Sequence, residues 1–176
     1  MPSKKHYIIT SITLGAIAAS SALLIGLTNL ATRNAIAQNE IKKITGGIVE
    51  IYGENASISE TKAIEGEYKY LQELYVVQAN SQDIGYAYKT SGSNMYGKIS
   101  LIIGFANAGH NFLATTIVVN EQTYASTLVD NYIDPVNAGD RDYYDVSCGA
   151  TYGANLVRDM INEASDHVEE LWGKNG

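Results

Sequence analysis

The chain has 176 residues, about the length of one compact domain once a targeting segment is set aside. Hydrophobic residues make up 45% of it and charged residues 18%, proportions typical of a chain that buries a core rather than of a disordered or fibrous protein. The net charge of −7 argues against nucleic-acid binding, which needs a basic surface, and the single cysteine excludes an intramolecular disulfide and a cysteine-rich metal site.

The N-terminal segment has the composition of a transmembrane helix. Lys4 and Lys5 precede an uncharged, mostly apolar run over residues 7–32, which is long enough to span a bilayer. By the positive-inside rule the lysines favour a cytoplasmic N-terminus and an exported remainder. A cleaved signal peptide is the alternative, because residues 35–37 are Ala-Ile-Ala, the form of a cleavage site. We expect an uncleaved single-pass anchor in the cell membrane over residues 1–33, with an extracytoplasmic body.

Apolar residues that follow the anchor recur at helical spacing. They predict a helix over residues 35–50, which Gly46 and Gly47 weaken near its end. Residues 54–72 are charged and polar and contain glycine, which indicates a connector or a short helix. We interpret residues 34–75 together as a helical and connector segment.

Runs of β-branched and aromatic residues after this segment predict strands. The predicted strands cover residues 74–78, 83–90, 98–105 and 113–119. The small polar residues 91–94 indicate a turn, and the Asn-Ala-Gly-His sequence at 107–110 indicates a hairpin loop. We therefore expect adjacent antiparallel strands.

The C-terminal third of the chain is predicted to be mainly helical. Residues 126–133 predict a short helical piece, and residues 134–142 form a turn-rich, acidic segment. Apolar residues then recur at three- and four-residue steps over residues 152–172, which predicts an amphipathic helix. The element order predicts an α+β fold: an antiparallel sheet with one face packed against a C-terminal amphipathic helix, preceded by the transmembrane helix. The compact domain is expected over residues 76–176.

A run of small residues, D-V-S-C-G-A-T at 145–151, comes immediately before that last helix. An anion near Thr151 would be favoured by the unsatisfied N–H groups and the positive dipole end of the helix. Gly149 and Ala150 would let a ligand or another enzyme approach the backbone closely. The sequence therefore permits a phosphate at Thr151.

This run resembles the signature of the covalent FMN-binding domains in the G subunit of the Rnf ferredoxin:NAD oxidoreductase and the C subunit of the sodium-pumping NADH:quinone reductase. Their signature is Asp, two variable residues, Ser or Thr, then Gly-Ala-Thr, and residues 145–151 follow it except at Cys148. The anchor, an A-I-A-Q-N-E stretch at 35–40 and a Y-G-K-I segment at 96–99 also occur in the family's order. The resemblance implies FMN esterified through its phosphate to Thr151.

Two segments depart from the family pattern. Residues 122–127 are Q-T-Y-A-S-T where the family has Glu-Thr-Pro-Gly followed by Leu-Gly, a segment that helps shape the flavin pocket, and Gly153 replaces a Ser or Thr. The resemblance implies recognition of Asp145 by the attaching enzyme and a packing role for Cys148 in place of Ser or Thr. The other residues expected at the cofactor are Gly149, Ala150, Tyr96, Gly97, Thr123, Tyr124 and Tyr152.

The resemblance implies an electron-carrying subunit of a redox complex, not a stand-alone catalyst. A threonine hydroxyl is weakly acidic, and Thr151 has no histidine base near it in sequence, so it would be an acceptor and not a catalytic nucleophile. In the family a flavin transferase supplies FMN from FAD with a divalent metal. The expected partners are this transferase and the other membrane subunits of an Rnf-like complex.

Other readings of the same residues stay open. Thr151 alone fits an ordinary threonine at a helix start, and most tyrosines simply pack with their hydroxyls at the surface. The body is then a non-flavin extracytoplasmic binding or structural domain, or, after cleavage behind Ala37, a secreted tyrosine-rich module. An extracellular electron-transfer flavoprotein outside an Rnf complex is a further alternative. Histidines 6, 110 and 167 are too dispersed in sequence to predict a metal site.

Overall fold

The computed structural model describes residues 4–108 and 110–173, which fall into two compact units, Met1–Ile41 and Lys42–Gly176. The helices are α1 (Lys4–Tyr52), α2 (Ala125–Leu128), α3 (Asp134–Asn137) and α4 (Thr151–Gly173), with a π-helical turn at Val129–Ile133. The strands are β1 (Ala56–Lys62), β2 (Leu71–Ala79), β3 (Gln82–Asn94), β4 (Gly97–Ala106) and β5 (Phe112–Asn120). The domain bounds predicted at residues 33 and 75 stay predictions.

The first unit contains the apolar part of α1. Tyr7–Asn29 is long and apolar enough to cross a membrane as a helix, as the sequence predicts, and the side chains described there are exposed. Its hydroxyl groups bond within the helix: Thr13 Oγ1 donates to the Ile9 carbonyl at 2.9 Å, and Ser20 Oγ donates to the Ala16 carbonyl at 2.8 Å. Such bonds satisfy polar groups without water, which suits an apolar surrounding.

The helix predicted over residues 35–50 is confirmed as the C-terminal part of α1. The helix does not weaken at the glycine pair but continues to Tyr52. Gly53 follows it with φ +96° and donates its N–H to the Val49 carbonyl at 2.8 Å, which is a C-terminal cap of the kind that glycine favours. Gly53, not the Gly46-Gly47 pair, therefore ends α1.

The five strands form one antiparallel sheet in chain order, in which each strand pairs with the next. The predicted strands are all present, but reading residues 54–72 as a connector or short helix is wrong at Ala56–Lys62, which forms β1. This strand lies at the sheet edge and keeps most of its side chains exposed. Because its composition is polar, a pattern of apolar residues does not predict it.

The turn predicted at residues 91–94 is also wrong, because β3 runs through these residues to Asn94. Ser91 pairs with Ser100 across the strands, and Ser100 Oγ donates to Ser91 Oγ at 2.8 Å. A Cβ added at Gly92 would lie 2.7 Å from Met160 Cε of α4. The small residues of this stretch allow close packing by α4, and the chain turns immediately after it, at Met95 and Tyr96.

Both faces of the sheet are covered by helices. On β4, Ile99, Leu101, Ile103 and Phe105 belong to the core that α4 closes, and α4 contributes Val157, Met160, Ile161 and Ala164. Ile102 points to the opposite face and packs in a separate core with Ile44 and Ile48 of α1. The α+β class, the antiparallel sheet and the C-terminal helix are confirmed, whereas the expectation of one covered face missed the cover that α1 provides.

Tyr52 fastens the end of α1 to the sheet. Its hydroxyl donates to the Tyr86 carbonyl at 2.6 Å and accepts the Phe105 N–H at 3.0 Å. Gly85 and Gly104 leave room for the ring, because a Cβ on either would lie 2.6 Å from Tyr52 Cε1 and 3.0 Å from Tyr52 Oη, respectively. Burial raises the pKa of Tyr52 above its ordinary value, so the phenol stays neutral and keeps its donor proton.

The two adjacent glycines of α1 give a matched test of this packing. A Cβ on Gly47 would lie 2.4 Å from Thr116 Cγ2 of β5, whereas a Cβ on Gly46 would meet nothing within 4 Å. We expect Gly47→Ala to lower the free energy of unfolding by about 1–3 kcal/mol through overpacking. Gly46→Ala should raise it by about 0.5–1 kcal/mol, since alanine is the better helix former. Chemical denaturation followed by near-ultraviolet circular dichroism measures both, and equal effects would contradict this packing.

Candidate functional site: a tyrosine-lined cavity at the start of α4

Three segments that are distant in sequence meet around one cavity. They are the turn between β3 and β4, the chain that follows β5, and the first turn of α4 with the residues before it. The cavity has a volume of about 250 Å³. Its lining consists of Tyr96, Gln122, Tyr124, Leu128, Gly149, Ala150, Thr151, Tyr152 and Gly153.

Asn94 ties the β3–β4 turn to the start of α4. Its Oδ1 accepts the Tyr96 N–H at 2.8 Å, and its Nδ2 donates to the Tyr152 carbonyl at 3.1 Å. One side chain therefore holds two of the tyrosines that line the cavity. Asn94 was not selected from the sequence, because it was assigned there to a turn.

The chain after β5 is fastened to the same turn through the backbone. The Thr123 N–H donates to the Tyr96 carbonyl at 3.1 Å, and Gln122 Nε2 donates to the Gly97 carbonyl. Gly97 has φ +133°, and a Cβ there would lie 2.1 Å from the Glu121 carbonyl oxygen. Only glycine permits this approach. Gly97 and Thr123, both expected at the cofactor, thus position the wall of the cavity and are not among its described lining residues.

The start of α4 presents unused backbone donors to the cavity. The Ala150 carbonyl accepts the Ala154 N–H at 3.0 Å, which is the first hydrogen bond of the helix. Among residues 4–108 and 110–173, the N–H groups of Thr151, Tyr152 and Gly153 find no hydrogen-bond acceptor. No acidic residue occupies the first turn. These donors and the helix dipole favour an anion at this end.

Three tyrosine rings surround the mouth of the cavity. The Tyr96 ring centroid lies 5.4 Å from that of Tyr152 and 6.0 Å from that of Tyr124. Tyr152 and Tyr124 are 61% and 54% exposed, so their rings offer apolar surface to whatever enters. The structure brings together at one cavity these three tyrosines, which the sequence places near the segments expected to surround a flavin. Aromatic walls of this kind suit a planar ligand.

The loop before α4 is shaped by Asp145 and Arg141. Asp145 Oδ1 accepts the Ser147 N–H at 3.2 Å, and Arg141 Nη1 donates to the carbonyls of Asp145 and Ser147 at 3.3 and 3.1 Å. Arg141 Nε also lies 3.9 Å from Asp145 Oδ2. Asp145 is exposed and is not among the described lining residues. Its carboxylate holds the loop, and recognition by an attaching enzyme stays a prediction.

Cys148 lies in the core and not in the cavity. It is 7% exposed, belongs to the core beneath α4, and its carbonyl accepts Asn131 Nδ2 at 3.2 Å. This is the environment of a small packing residue. Gly149 next to it has φ +82° and brings the chain back to the surface at Thr151, which is exposed.

The sequence-predicted residues therefore divide into two groups. The lining includes Tyr96, Tyr124, Gly149, Ala150, Thr151 and Tyr152, whereas Asp145, Cys148, Gly97 and Thr123 support it from outside. Gln122, Leu128 and Gly153 line the cavity without having been selected. The apolar side of the predicted short helix indicates that Leu128 is buried, but no pattern in the sequence indicates that Gln122 is buried.

The ionisable side chains in the described lining of the cavity are its three tyrosines. Its described lining contains no Asp, Glu, His, Lys or Arg. Within the part of the chain that the structure describes, no group of three or more His, Cys, Asp or Glu residues has the arrangement of a metal site. Thr151 therefore has no carboxylate, histidine or lysine beside it in the described lining, the usual bases for a nucleophilic hydroxyl.

A second cavity, of about 320 Å³, borders the C-terminal half of α4. Its lining is Lys62, Ala63, Glu65, Tyr68, Leu74, His167, Glu170 and Leu171. His167 is buried, with Nδ1 2.8 Å from Tyr88 Oη and its ring edge-on to that of Tyr68 at 5.0 Å. None of the residues predicted for the cofactor lies here.

Comparison with known proteins leaves the family of the chain open. No family model matches it, and no curated protein matches it significantly. The resemblance to covalent FMN-binding domains stays a prediction that depends on residues 145–151 and on the order of the segments around them. The geometry of the cavity is independent of that resemblance.

The close approach at Gly97 gives a test of how the cavity wall is held. Gly97→Ala adds both positive-φ strain and a clash with Glu121, so we expect the free energy of unfolding to fall by about 2–5 kcal/mol. Gly139→Ala is the matched control, because Gly139 has φ +75° and a Cβ there would meet nothing within 4 Å. Strain alone should cost the control about 1–2 kcal/mol. Denaturant unfolding measures the difference, and equal losses would contradict the clash.

Proposed function

We propose that the protein is a membrane-anchored electron-transfer flavoprotein that carries FMN, linked through its phosphate to Thr151. One observation carries the proposal: an exposed threonine begins a helix whose first N–H groups are unused, at the edge of a cavity walled by tyrosine rings. The helix start suits a phosphate, and the aromatic walls suit a planar ring. The two requirements of FMN are met on adjacent residues.

The size and charge of the cavity fit a tethered flavin better than an enclosed one. Pockets that enclose a drug-sized ligand measure about 300–1,000 Å³. A volume of about 250 Å³ would take one end of FMN and leave the rest open. A covalent link removes the need for deep burial, because the cofactor cannot diffuse away. The absence of acidic side chains from the described lining avoids repulsion of the phosphate.

The residues of this chain would bind and orient the flavin. Bound FMN supplies reversible electron transfer, which the side chains of this chain do not provide. Because the described lining has no carboxylate, histidine or lysine to act as a base for Thr151, attachment is expected to need another enzyme, a flavin transferase. Linkage through the phosphate leaves the ring system chemically free. The chain is then a carrier in a redox complex and not a catalyst by itself.

A membrane anchor would suit a role in a membrane redox complex. Tyr7–Asn29 is long and apolar enough to cross the bilayer. Lys4 and Lys5 before it favour a cytoplasmic N-terminus, which puts the flavin domain outside the cytoplasm. Other membrane subunits of an Rnf-like complex are the proposed electron-transfer partners, and an extracellular electron-transfer pathway outside such a complex is the alternative.

A binding or structural domain without flavin is the second candidate. The observation that favours it is the departure of residues 122–127 from the family segment that shapes the flavin pocket, in a chain that no family model matches. In that case the same cavity would hold a different planar ligand, or the tyrosines would serve surface packing. The attachment of FMN distinguishes the two candidates.

Covalent loading is tested by co-expressing the full chain with a flavin transferase. We expect flavin fluorescence that persists on a denaturing gel and an intact-mass gain of one FMN less one water. Thr151→Val should abolish both, because it removes the hydroxyl that forms the ester while keeping the shape of the side chain. Thr61→Val is the matched control, since Thr61 is an exposed threonine of β1 outside the described cavity lining.

Two results would overturn this proposal in different ways. A wild-type chain that gains no mass beside an active transferase favours the binding domain without flavin. A Thr151→Val chain that loads as fully as the wild type moves the attachment to another residue.

A further inference from the structure

Gln122 is a buried polar side chain whose hydrogen bonding is incomplete. It is 7% exposed and lines the cavity. Its Nε2 donates to the Gly97 carbonyl, which accepts and cannot donate, so this bond identifies the nitrogen end of the amide. The other end, Oε1, accepts no hydrogen bond from the residues that the structure describes.

The unused oxygen lies beside the cavity and not inside the core. A Cβ added at Gly153 would be 3.4 Å from Gln122 Oε1 and 3.0 Å from Leu128 Cδ2, and all three residues line the cavity. No buried side-chain oxygen or nitrogen in the described part of the chain lacks a hydrogen-bond partner. Since Oε1 has no partner, it is not fully buried, and the adjacent Leu128 and Gly153 place it at the cavity. An amide oxygen at such a position accepts a hydrogen bond from whatever fills the space.

We propose that Gln122 Oε1 accepts a hydrogen bond from a ring N–H of a planar heterocycle bound in the cavity. The inference rests on the proposed function for the identity of the ring, whose N–H is then the imide N–H of the flavin. Tyr96 and Tyr124 contact the faces or edges of a flat ligand and do not distinguish its sides. An acceptor at one point of the wall does distinguish them, since only the edge that carries a donor matches it.

With this hydrogen bond, the amide of Gln122 has two separate roles at the site. Its Nε2 holds the Gly97 carbonyl and thus the cavity wall, and its Oε1 selects and orients the ring. The unused N–H groups at Thr151, Tyr152 and Gly153 are donors and would hold the phosphate end instead. The described lining therefore offers an acceptor as well as donors, which an asymmetric ligand with an anionic end and an N–H edge requires.

The test measures binding of free flavins to the full chain, purified in detergent after expression without a transferase. Riboflavin carries the imide N–H, whereas N3-methylriboflavin has a methyl group in its place. Fluorescence titration of wild type should give a dissociation constant about tenfold lower for riboflavin, the size of one well-made hydrogen bond. Gln122→Met keeps the length of the side chain and removes the acceptor. Because it also removes the Nε2 bond to Gly97, it can act on both flavins through the wall, but it should weaken riboflavin about tenfold more than N3-methylriboflavin and so abolish the preference.

Gln82→Met is the matched control, because Gln82 is an exposed glutamine of β3 outside the described lining and should keep the wild-type preference. If Gln122→Met weakens the binding of both flavins equally, Gln122 only supports the cavity wall and the inference is overturned. Wild type that binds both flavins equally, or neither, also overturns it. If the chain gains the mass of FMN at Thr151 but binds both flavins equally, the proposed carrier function stands and the inference about Gln122 fails. If the chain prefers riboflavin but gains no mass, the inference stands and the carrier function fails.

Discussion

The fold of the C-terminal unit depends on a strand that is apolar on both sides. Every residue of β4 from 99 to 105 is buried, so neither face of the sheet there tolerates water. An antiparallel sheet usually leaves one face solvated, but this one needs two covers. Helix α4 supplies one, and the end of α1 supplies the other through Ile44, Ile48 and Tyr52. The helix that begins in the apolar N-terminal segment is thus also part of the folded core.

The candidate site lies where this packing leaves space. Helix α4 approaches β3 closely at Gly92, and the chain after β5 approaches β4 closely at Gly97. At Gly92 the close neighbours are side chains of α4, whereas at Gly97 they are backbone atoms of Glu121. Asn94 links the β3–β4 turn to the start of α4, and the cavity is lined there by Tyr96 and Tyr152. Thr151 is at its edge because α4 begins there.

Sequence reasoning succeeded where one short pattern determines the structure. The apolar strands, the amphipathic helix and the small-residue run before Thr151 are local signals of this kind. It failed at β1, since an exposed edge strand needs no apolar residues, and at Ser91–Asn94, where small residues accommodate α4 and do not turn the chain. Burial of Gln122 was also hidden, because it results from contacts with Gly97 and Gly153, which lie far away in sequence. Local patterns therefore place Thr151 at the start of α4 but do not predict that Gln122 lies in the wall of the cavity.

The two helices that cover the sheet are synthesised at different times. The α1 cover precedes every strand, so the core around Ile102 is complete once β5 is made. The opposite core, around Leu101 and Phe105, waits for α4, and until then its apolar surface is open to misassembly or to chaperones. The first turn of α4 arrives at the same late moment. Maturation of the cavity therefore coincides with closure of the second core, and an unfinished chain offers neither.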